Sequence, residues 1–564
     1  MFKSTLFLNH KFQAFIITIL LFSGCFFFFG WWTDAYQHFY DTVVSGELTD
    51  YYLPAANDPF PEYMVGAAWF FVRLGQLYPI HWIAFFLQSV LFISIWIIFY
   101  QILKHISSFP LVSRALIILF FSLLFAESII LYHMVRITMF AGIAAISVLI
   151  VNDEKRYVSL KTLPYLALFT LALWIRCNVH LFILVFISIA FLLHGKSLKP
   201  LVPFYLCFSL FFLYYCKVVL WTDCSNDLNF YFLYHSEFKL YYVGNYVPKL
   251  NLINHLDSLK YSAIKMDILG DEENLSPKFY EQIGIFTNHS RFSLSQTIYA
   301  LNTFLFAMKQ NVYFVIADVF LIVFYVFLGG KKIKNYKIKT LLLFSFFYLI
   351  VFAISFLKME NRFLVPFQVL FLFTIIILHR PNLFSTNRYQ FWFLLFLALI
   401  IPTSVFYIKQ KVDFEKEENR VFEKTFEYLG KEFSDNVLVY NTGFVTKNKP
   451  YETFYQRKYF KKFYSYNYFA TQLSQWYRPY LEKECNCKLS QLGTFYEYLR
   501  IQEYPVLLLD RNDRIKLLEN YLLEVNNLPQ QFKEVSVPKN IKQFLKTQSF
   551  RQELNVYRLS KGSL

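Results

Sequence analysis

Charge is scarce in this chain. Asp, Glu, Lys and Arg make up 17% of its 564 residues, against 56% hydrophobic and 21% aromatic residues, so a soluble enzyme built round one core is excluded and the chain belongs in lipid. Cysteine is sparse as well. Of the seven, Cys25, Cys177, Cys207 and Cys216 fall in or beside apolar runs, where a small apolar filler is the ordinary role. Cys224, Cys485 and Cys487 lie in segments read below as external, where a disulfide is permitted. Cys485-Asn486-Cys487 without nearby paired histidines is a poor zinc signature. No metal is therefore assigned, although a divalent ion would be compatible. A glycine-rich phosphate loop is missing, which leaves nucleotide binding without a motif, and no internal repeat is seen.

Long apolar runs are plentiful. The first, Phe12 to Trp32, matches the roughly 20 residues that cross a hydrocarbon layer, and acids rather than a small-residue cleavage site follow it. It reads as a retained helix. Further runs lie near residues 82–101, 115–133, 137–151, 163–175, 178–194, 200–221, 311–329, 340–357, 363–379 and 389–408. Together they predict a polytopic α-helical membrane protein with about eleven transmembrane helices, several of them short for a crossing of about 30 Å. Pro61 to Tyr78 is apolar but broken by Glu62, Gly66, Arg73 and Gly75, which suits a helix lying in the headgroup region.

The formal charge of +16 gains its meaning from placement. Lys3 and Lys11, Lys104 and Arg114, Lys155, Arg156 and Lys161, Lys196 and Lys199, the group from Lys331 to Lys339, and Arg380 and Arg388 occupy alternate short connections, the pattern of a cytoplasmic side. That alternation sets the N-terminus inside and the C-terminus outside. It accounts for the basic surplus without nucleic acid. The membrane body then spans residues 1–408, with external loops 33–80 and 222–297, and residues 409–564 form a soluble external tail. Within the tail, a charged helical pattern over Phe414 to Glu432 precedes apolar runs at Val437 to Tyr440 and Val506 to Asp510. A helix-spaced segment follows over Ile515 to Val525, and a strand-like piece over Leu554 to Leu559 closes the chain, so a small α/β domain is expected. Residues 450–480 are rich in Tyr, Phe, Lys and Arg, suited to lipid headgroups or a glycan, or else simply a tyrosine-rich surface.

Among residues that could do chemistry, Asp34 stands out by position. It follows the first apolar run by two residues, behind a Trp pair that anchors that run at the interface, so its carboxylate is held beside the lipid boundary and can accept a proton from a hydroxyl. Asp41, Glu47, Asp50, Asp58 and Glu62 share the loop, where acids commonly do no more than keep it wet. The connection LYHMVRIT carries His133 and Arg136, and Glu127 sits in the preceding apolar run. Glu127 and Arg136 suit a structural pair; Arg136 also suits a lipid phosphate, whose oxygens its planar fork matches. Arg176 and His180 occupy the next external turn.

Phe356 to Phe373, FLKMENRFLVPFQVLFLF, is an external turn feeding a membrane helix, and its Glu360-x-Arg362-Phe363-Leu364-x-Pro366 pattern resembles one in the late helices of C-type glycosyltransferases. These polytopic enzymes use polyprenyl-phosphate sugars and include protein O-mannosyltransferases and lipid A aminoarabinose transferases. An acid just after the first helix, matched by Asp34, and a soluble external C-terminal domain belong to the same pattern. Many members have paired Asp-Glu where this chain has Thr33-Asp34-Ala35, so only one carboxylate carries over. The resemblance implies transfer of a sugar from a polyprenyl-phosphate donor to an external glycan, lipid or protein by direct attack of an acceptor hydroxyl. In that chemistry Asp34 is the base, Arg136 and Arg362 neutralise donor phosphate, and His38, Asp41, His133 and Glu360 support them. The expected compartment is a bacterial cytoplasmic membrane with the tail in the periplasm. Two other readings stand beside it: a surface-polysaccharide polymerase or flippase-like protein, and a non-enzymatic transport or assembly component. The last is expected to carry acids deep within several spans, and only Glu127 does so.

Overall fold

The structure, a computed structural model, describes residues 9–30, 32–33, 74, 82–151, 162–220, 254–266, 271, 273–276, 278–279, 294–323, 334–355, 361–378, 387–440, 462–465, 492–539 and 555–560. Helices dominate. In chain order the membrane body contains α1 (His10–Phe29), strand β1 (Trp32–Thr33), α2 (Trp82–His105), α3 (Leu111–Ile130), strand β2 (Leu131–Tyr132), α4 (Met134–Val151), α5 (Leu163–Ile175), α6 (His180–Leu193) and α7 (Val202–Leu220). After α8 (His255–Lys265) come α9 (Leu294–Gln310), α10 (Val312–Val323), α11 (Lys334–Ser355), α12 (Asn361–Leu378) and α13 (Asn387–Glu432).

Among the described residues six helices are long and apolar enough to cross a membrane: α1, the greater part of α2, α3, α4, most of α11, and Gln390–Phe414 within α13. α9 and α10 meet at an 89° bend and make a seventh if they count as one broken span. The other expected crossings are shorter helices. At 1.5 Å per residue the 13 residues of α5 and the 14 of α6 reach only about 20 Å of the roughly 30 Å needed.

Local chemistry sets the ends that matter here. Asn9 caps α1 by accepting the Lys11 N–H at 2.9 Å, and Gly30, in the left-handed region at φ 79°, stops it. His133 Nδ1 accepts the Val135 N–H at 3.0 Å and so caps α4. α4 is the central helix, buried along Met134 to Ile150. Its Gly142 leaves room for α6: a Cβ there would lie 2.6 Å from the His180 ring.

Polar contacts fix helix directions. Gln390 Nε2 donates to Ser113 Oγ at 2.9 Å, and Lys411 Nζ donates to Glu127 Oε1 at 2.9 Å, so α3 and α13 run parallel. His180 Nε2 lies 3.1 Å from the Thr138 carbonyl, whereas Lys196 Nζ donates to the Ile150 carbonyl at 3.1 Å, so α4 and α6 are parallel as well. One end of the bundle therefore gathers Glu127, Arg136, His180 and Lys411. The opposite end gathers Ser113, Ile150, Lys196 and Gln390, together with Arg114. At that second end, Trp96 Nε1 donates to the Lys11 carbonyl at 3.0 Å as α2 runs antiparallel to α1.

α13 continues unbroken through residue 408 to Glu432, 46 residues in all, and so links the membrane body to a sheet of order β4-β3-β5-β7-β6. The strands are β3 (Val437–Tyr440), β4 (Lys462–Ser465), β5 (Val506–Asp510), β6 (Phe532–Glu534) and β7 (Asn555–Leu559). β3 pairs in parallel with β4 and β5, while β7 is antiparallel to β5 and β6. β5 is buried at all five positions, as its unbroken apolar run anticipates for a central strand. Helices α14 (Leu492–Arg500) and α15 (Asn512–Glu524) supply Phe495, Leu499, Ile515 and Leu518 to the core against the sheet. α8, from the distant 222–297 loop, adds Leu259 and Ala263 to that same core. Asp271, just beyond it, accepts hydrogen bonds from Tyr521 Oη at 3.0 Å and Asn526 Nδ2 at 2.9 Å. α8 and Asp271 thus pack with the described part of the tail as one unit.

Candidate functional site

Glu127 lies in the last turn of α3 with no exposed surface, where a lone carboxylate would be untenable. Three elements answer it. Arg136 of α4 donates through Nη2 to Oε1 at 2.9 Å, Lys411 of α13 donates to the same oxygen at 2.9 Å, and Tyr313 of α10 donates its hydroxyl to Oε2. Arg136 is held further by Nη1, which donates to the Leu131 carbonyl at 3.0 Å and the Glu127 carbonyl at 3.3 Å. Its fork is locked to the β2 connection and to α3 together.

Two cations face one carboxylate, which leaves this cluster of three described side chains with a net charge of +1. Arg136 Nε is buried without a hydrogen-bond partner. Lys411 gives one of its three N–H donors to Glu127 and keeps 24% of its side chain accessible. A positive centre with donors to spare, walled by apolar helices, suits an anion, and in this setting it would attract one strongly.

The β-ribbon bears on the same place. β1 pairs in parallel with β2, Trp32 opposite Leu131 and Thr33 opposite Tyr132. The residue preceding Asp34 therefore lies beside the residue preceding His133, three positions before Arg136. α12 begins at the same end, since Phe363 packs edge-to-face on Phe182 of α6 at 5.4 Å between ring centroids. The first turn of α12 carries Arg362.

Of the residues singled out from sequence, Arg136 and His133 are thus adjacent and buried, and Arg362 sits in a helix turn at the same end, its side chain outside the described residues. Asp34, His38, Asp41 and Glu360 lie outside the described residues altogether, as do Cys224, Cys485 and Cys487. Among the described residues no group of three or more His, Cys, Asp or Glu side chains is arranged to hold a metal ion. Sequence reasoning missed Lys411, which reads as an ordinary flanking lysine after an apolar run, and Tyr313, for which no signal exists. It also treated Glu127 as the sole deep acid. Asp318, in the middle of α10, corrects that: it is fully buried and accepts from Tyr348 Oη at 2.6 Å.

A shallow apolar groove of about 510 Å³ lies between α10 and α13, lined by Val315, Val319, Phe320, Trp392, Phe396 and Leu399. It is bounded by the two helices that supply Tyr313 and Lys411.

Comparison with protein-family models, curated proteins and solved structures finds no match.

Proposed function

We propose that this protein is a membrane glycosyltransferase that takes a sugar from a polyprenyl-phosphate carrier and passes it to a hydroxyl of a glycan, lipid or protein outside the membrane. The observation that carries the reading is the β1–β2 pairing. It sets Thr33, the residue before Asp34, beside Tyr132, the residue before His133, which supports a base and a phosphate-binding cation from distant parts of the sequence acting together. In this reading Asp34 accepts the acceptor hydroxyl's proton as the oxygen attacks the anomeric carbon, and the carrier phosphate leaves. Arg136 and Arg362, joined by Lys411, offset the charge that develops on that phosphate, the kind of electrostatic contribution that commonly dominates catalysis. A phosphate leaving group needs little protonation, so one carboxylate suffices. The apolar groove between α10 and α13 is suited to a segment of the isoprenoid chain.

The orientation belongs to the same proposal: eleven passages with the N-terminus in the cytoplasm and the tail outside, in the cytoplasmic membrane of a bacterium. Lys11, Arg114 and Lys196 share the bundle end opposite Arg136, in keeping with a positive-inside arrangement. The packing of α8 on the tail core agrees with loop 222–297 and the tail being on one side.

The test is transfer of labelled sugar from a polyprenyl-phosphate pool in membranes containing each variant, with insertion verified. Asp34→Asn is expected to lose about 100-fold or more in turnover while still binding donor. Arg362→Lys keeps the charge, loses the planar fork and should weaken donor use. Glu47→Gln, a solvated acid in this reading, should transfer normally. Full activity in Asp34→Asn would remove the base. A second reading, a transport or flippase-like protein, is favoured by one observation, the buried Asp318 beside the bent α9–α10 pair, and would be preferred if no variant altered transfer.

A further inference from the structure

Asp318 is unlike Glu127 in the company it keeps. Both carboxyl groups are fully buried in the membrane body, but Glu127 meets an arginine and a lysine, whereas Asp318 meets only a tyrosine and an amide. Tyr348 of α11 donates to Oδ2 at 2.6 Å. Gln368 of α12 faces the same carboxyl group closely enough to act on it, although among the described residues neither the other oxygen, Oδ1, nor the Gln368 amide atoms has a partner at full hydrogen-bond geometry. Gln368 is also fully buried. Among the described residues no other ionisable side chain acts on Asp318. An uncompensated negative charge at that depth is costly, and orphaned acceptors there add to the cost.

One particle removes the charge and pairs both orphaned oxygens. We propose that Asp318, Tyr348 and Gln368 form a proton-binding site inside the membrane body, with the proton on Asp318 Oδ1 and donated to the Gln368 amide oxygen. The carboxylate takes up one proton from water and becomes a neutral acid, so the charge disappears and two orphaned acceptors share one hydrogen. A metal cation fits less well, because the four oxygens of these three side chains are a thin shell for a hard ion. The site joins three helices, and its consequence falls on α10. That helix, described over Val312–Val323, departs from α9 at an 89° bend and carries Tyr313 to the Glu127 cluster five residues before Asp318. Proton release would leave α10 with a bare charge in lipid and drive it toward the polar break at Asn311. Occupancy of the site therefore holds α10, and with it Tyr313, in place. This inference stands apart from the glycosyltransferase reading and does not need it.

The experiment is infrared spectroscopy of the full-length protein in lipid nanodiscs, following the carbonyl stretch of protonated carboxyl groups, with ¹³C-labelled aspartate to separate Asp from Glu. At about pH 7, above the value of about 6 held by Asp510 in the tail, wild type should show one such band that moves with the label and with deuterium exchange. It should vanish in Asp318→Asn and persist in Asp271→Asn and Asp510→Asn. In Gln368→Leu, which removes the acceptor and keeps Asp318, the band should shift as a freed carboxylic acid does, which keeps the test decisive even if Asp318→Asn fails to fold. Absence of the band in wild type, an unchanged band in Asp318→Asn or in Gln368→Leu, or its loss on adding sodium at fixed pH, would overturn the proton assignment.

Discussion

Removing the charge of Glu127 tests whether the cationic cluster is as interdependent as its geometry requires. In Glu127→Gln the shape survives, but Arg136, with 7% of its side chain accessible, loses its carboxylate. Breaking a buried pair from one side costs about 3–5 kcal/mol, since a charge is left unpaired. Two features pull the figure toward the lower end. Arg136 keeps two backbone carbonyls as acceptors, and Lys411 is accessible enough to turn outward. A loss of about 3 kcal/mol, roughly a hundredfold in the folding equilibrium, is expected. Arg136→Met should cost about as much, because Glu127 then relies on Lys411 and Tyr313 alone, while Lys411→Met, which leaves the arginine pair intact, should cost only about 1 kcal/mol. The double variant Glu127→Gln/Arg136→Met should be destabilised by clearly less than the sum of its singles, since neither leaves a bare partner for the other to expose. Unfolding by sodium dodecyl sulfate in mixed micelles, followed by near-ultraviolet circular dichroism, reads these differences. Additive singles, or a Glu127→Gln protein as stable as wild type, would show that the carboxylate and the cations do not depend on one another.

Burial raises the Asp510 carboxyl to about 6, an effect that Arg514 and the Arg511 N–H only partly offset. The folded state thus holds that proton more tightly than the unfolded chain, so its contribution is complete below about pH 4 and is lost as pH rises through 6; on the order of 3 kcal/mol of tail stability should vanish across that window, and Asp510→Asn should flatten the slope in hydrogen exchange. Tyr521→Phe removes a hydrogen bond to the buried Asp271 and should cost about 1.5–3 kcal/mol, seen as faster exchange over residues 255–265; unchanged protection there would refute the docking of α8 on the tail. A cysteine at position 470 should react with an impermeant thiol reagent in intact cells and one at position 334 should not, and the reverse would invert the orientation.

What could be read in advance follows from how local each cause is. Apolar runs report helices because lipid demands internal hydrogen bonding, and β3, β5 and β7 were legible as short apolar runs bounded by polar residues. The short α5 was legible too, since its apolar run over residues 163–175 is the helix itself, whereas an apolar stretch says nothing of a bend such as that at Asn311. The site divides the same way. Arg136 beside Glu127 was visible because nine residues and one turn separate them. Lys411, 284 positions from its partner, looked like any lysine after a membrane helix, and Tyr313 like any tyrosine near an interface. The docking of α8 against α15 rests on Asp271 and Tyr521, 250 residues apart, and no pattern within either segment announces it.

The two-residue ribbon of β1 and β2 also has a consequence for how the protein is made. Its strands are parallel and almost a hundred residues apart, with α2 and α3 between them. During synthesis Trp32 and Thr33 leave the ribosome long before Leu131 and Tyr132 exist. The mouth of the first loop therefore stays unlatched while three helices are threaded into the bilayer, and it can close only when the fourth is arriving. A chain halted before residue 131 would have its first helix inserted and its loop open, so assembly of this corner of the molecule is a late event even though it contains one of the earliest segments to be translated.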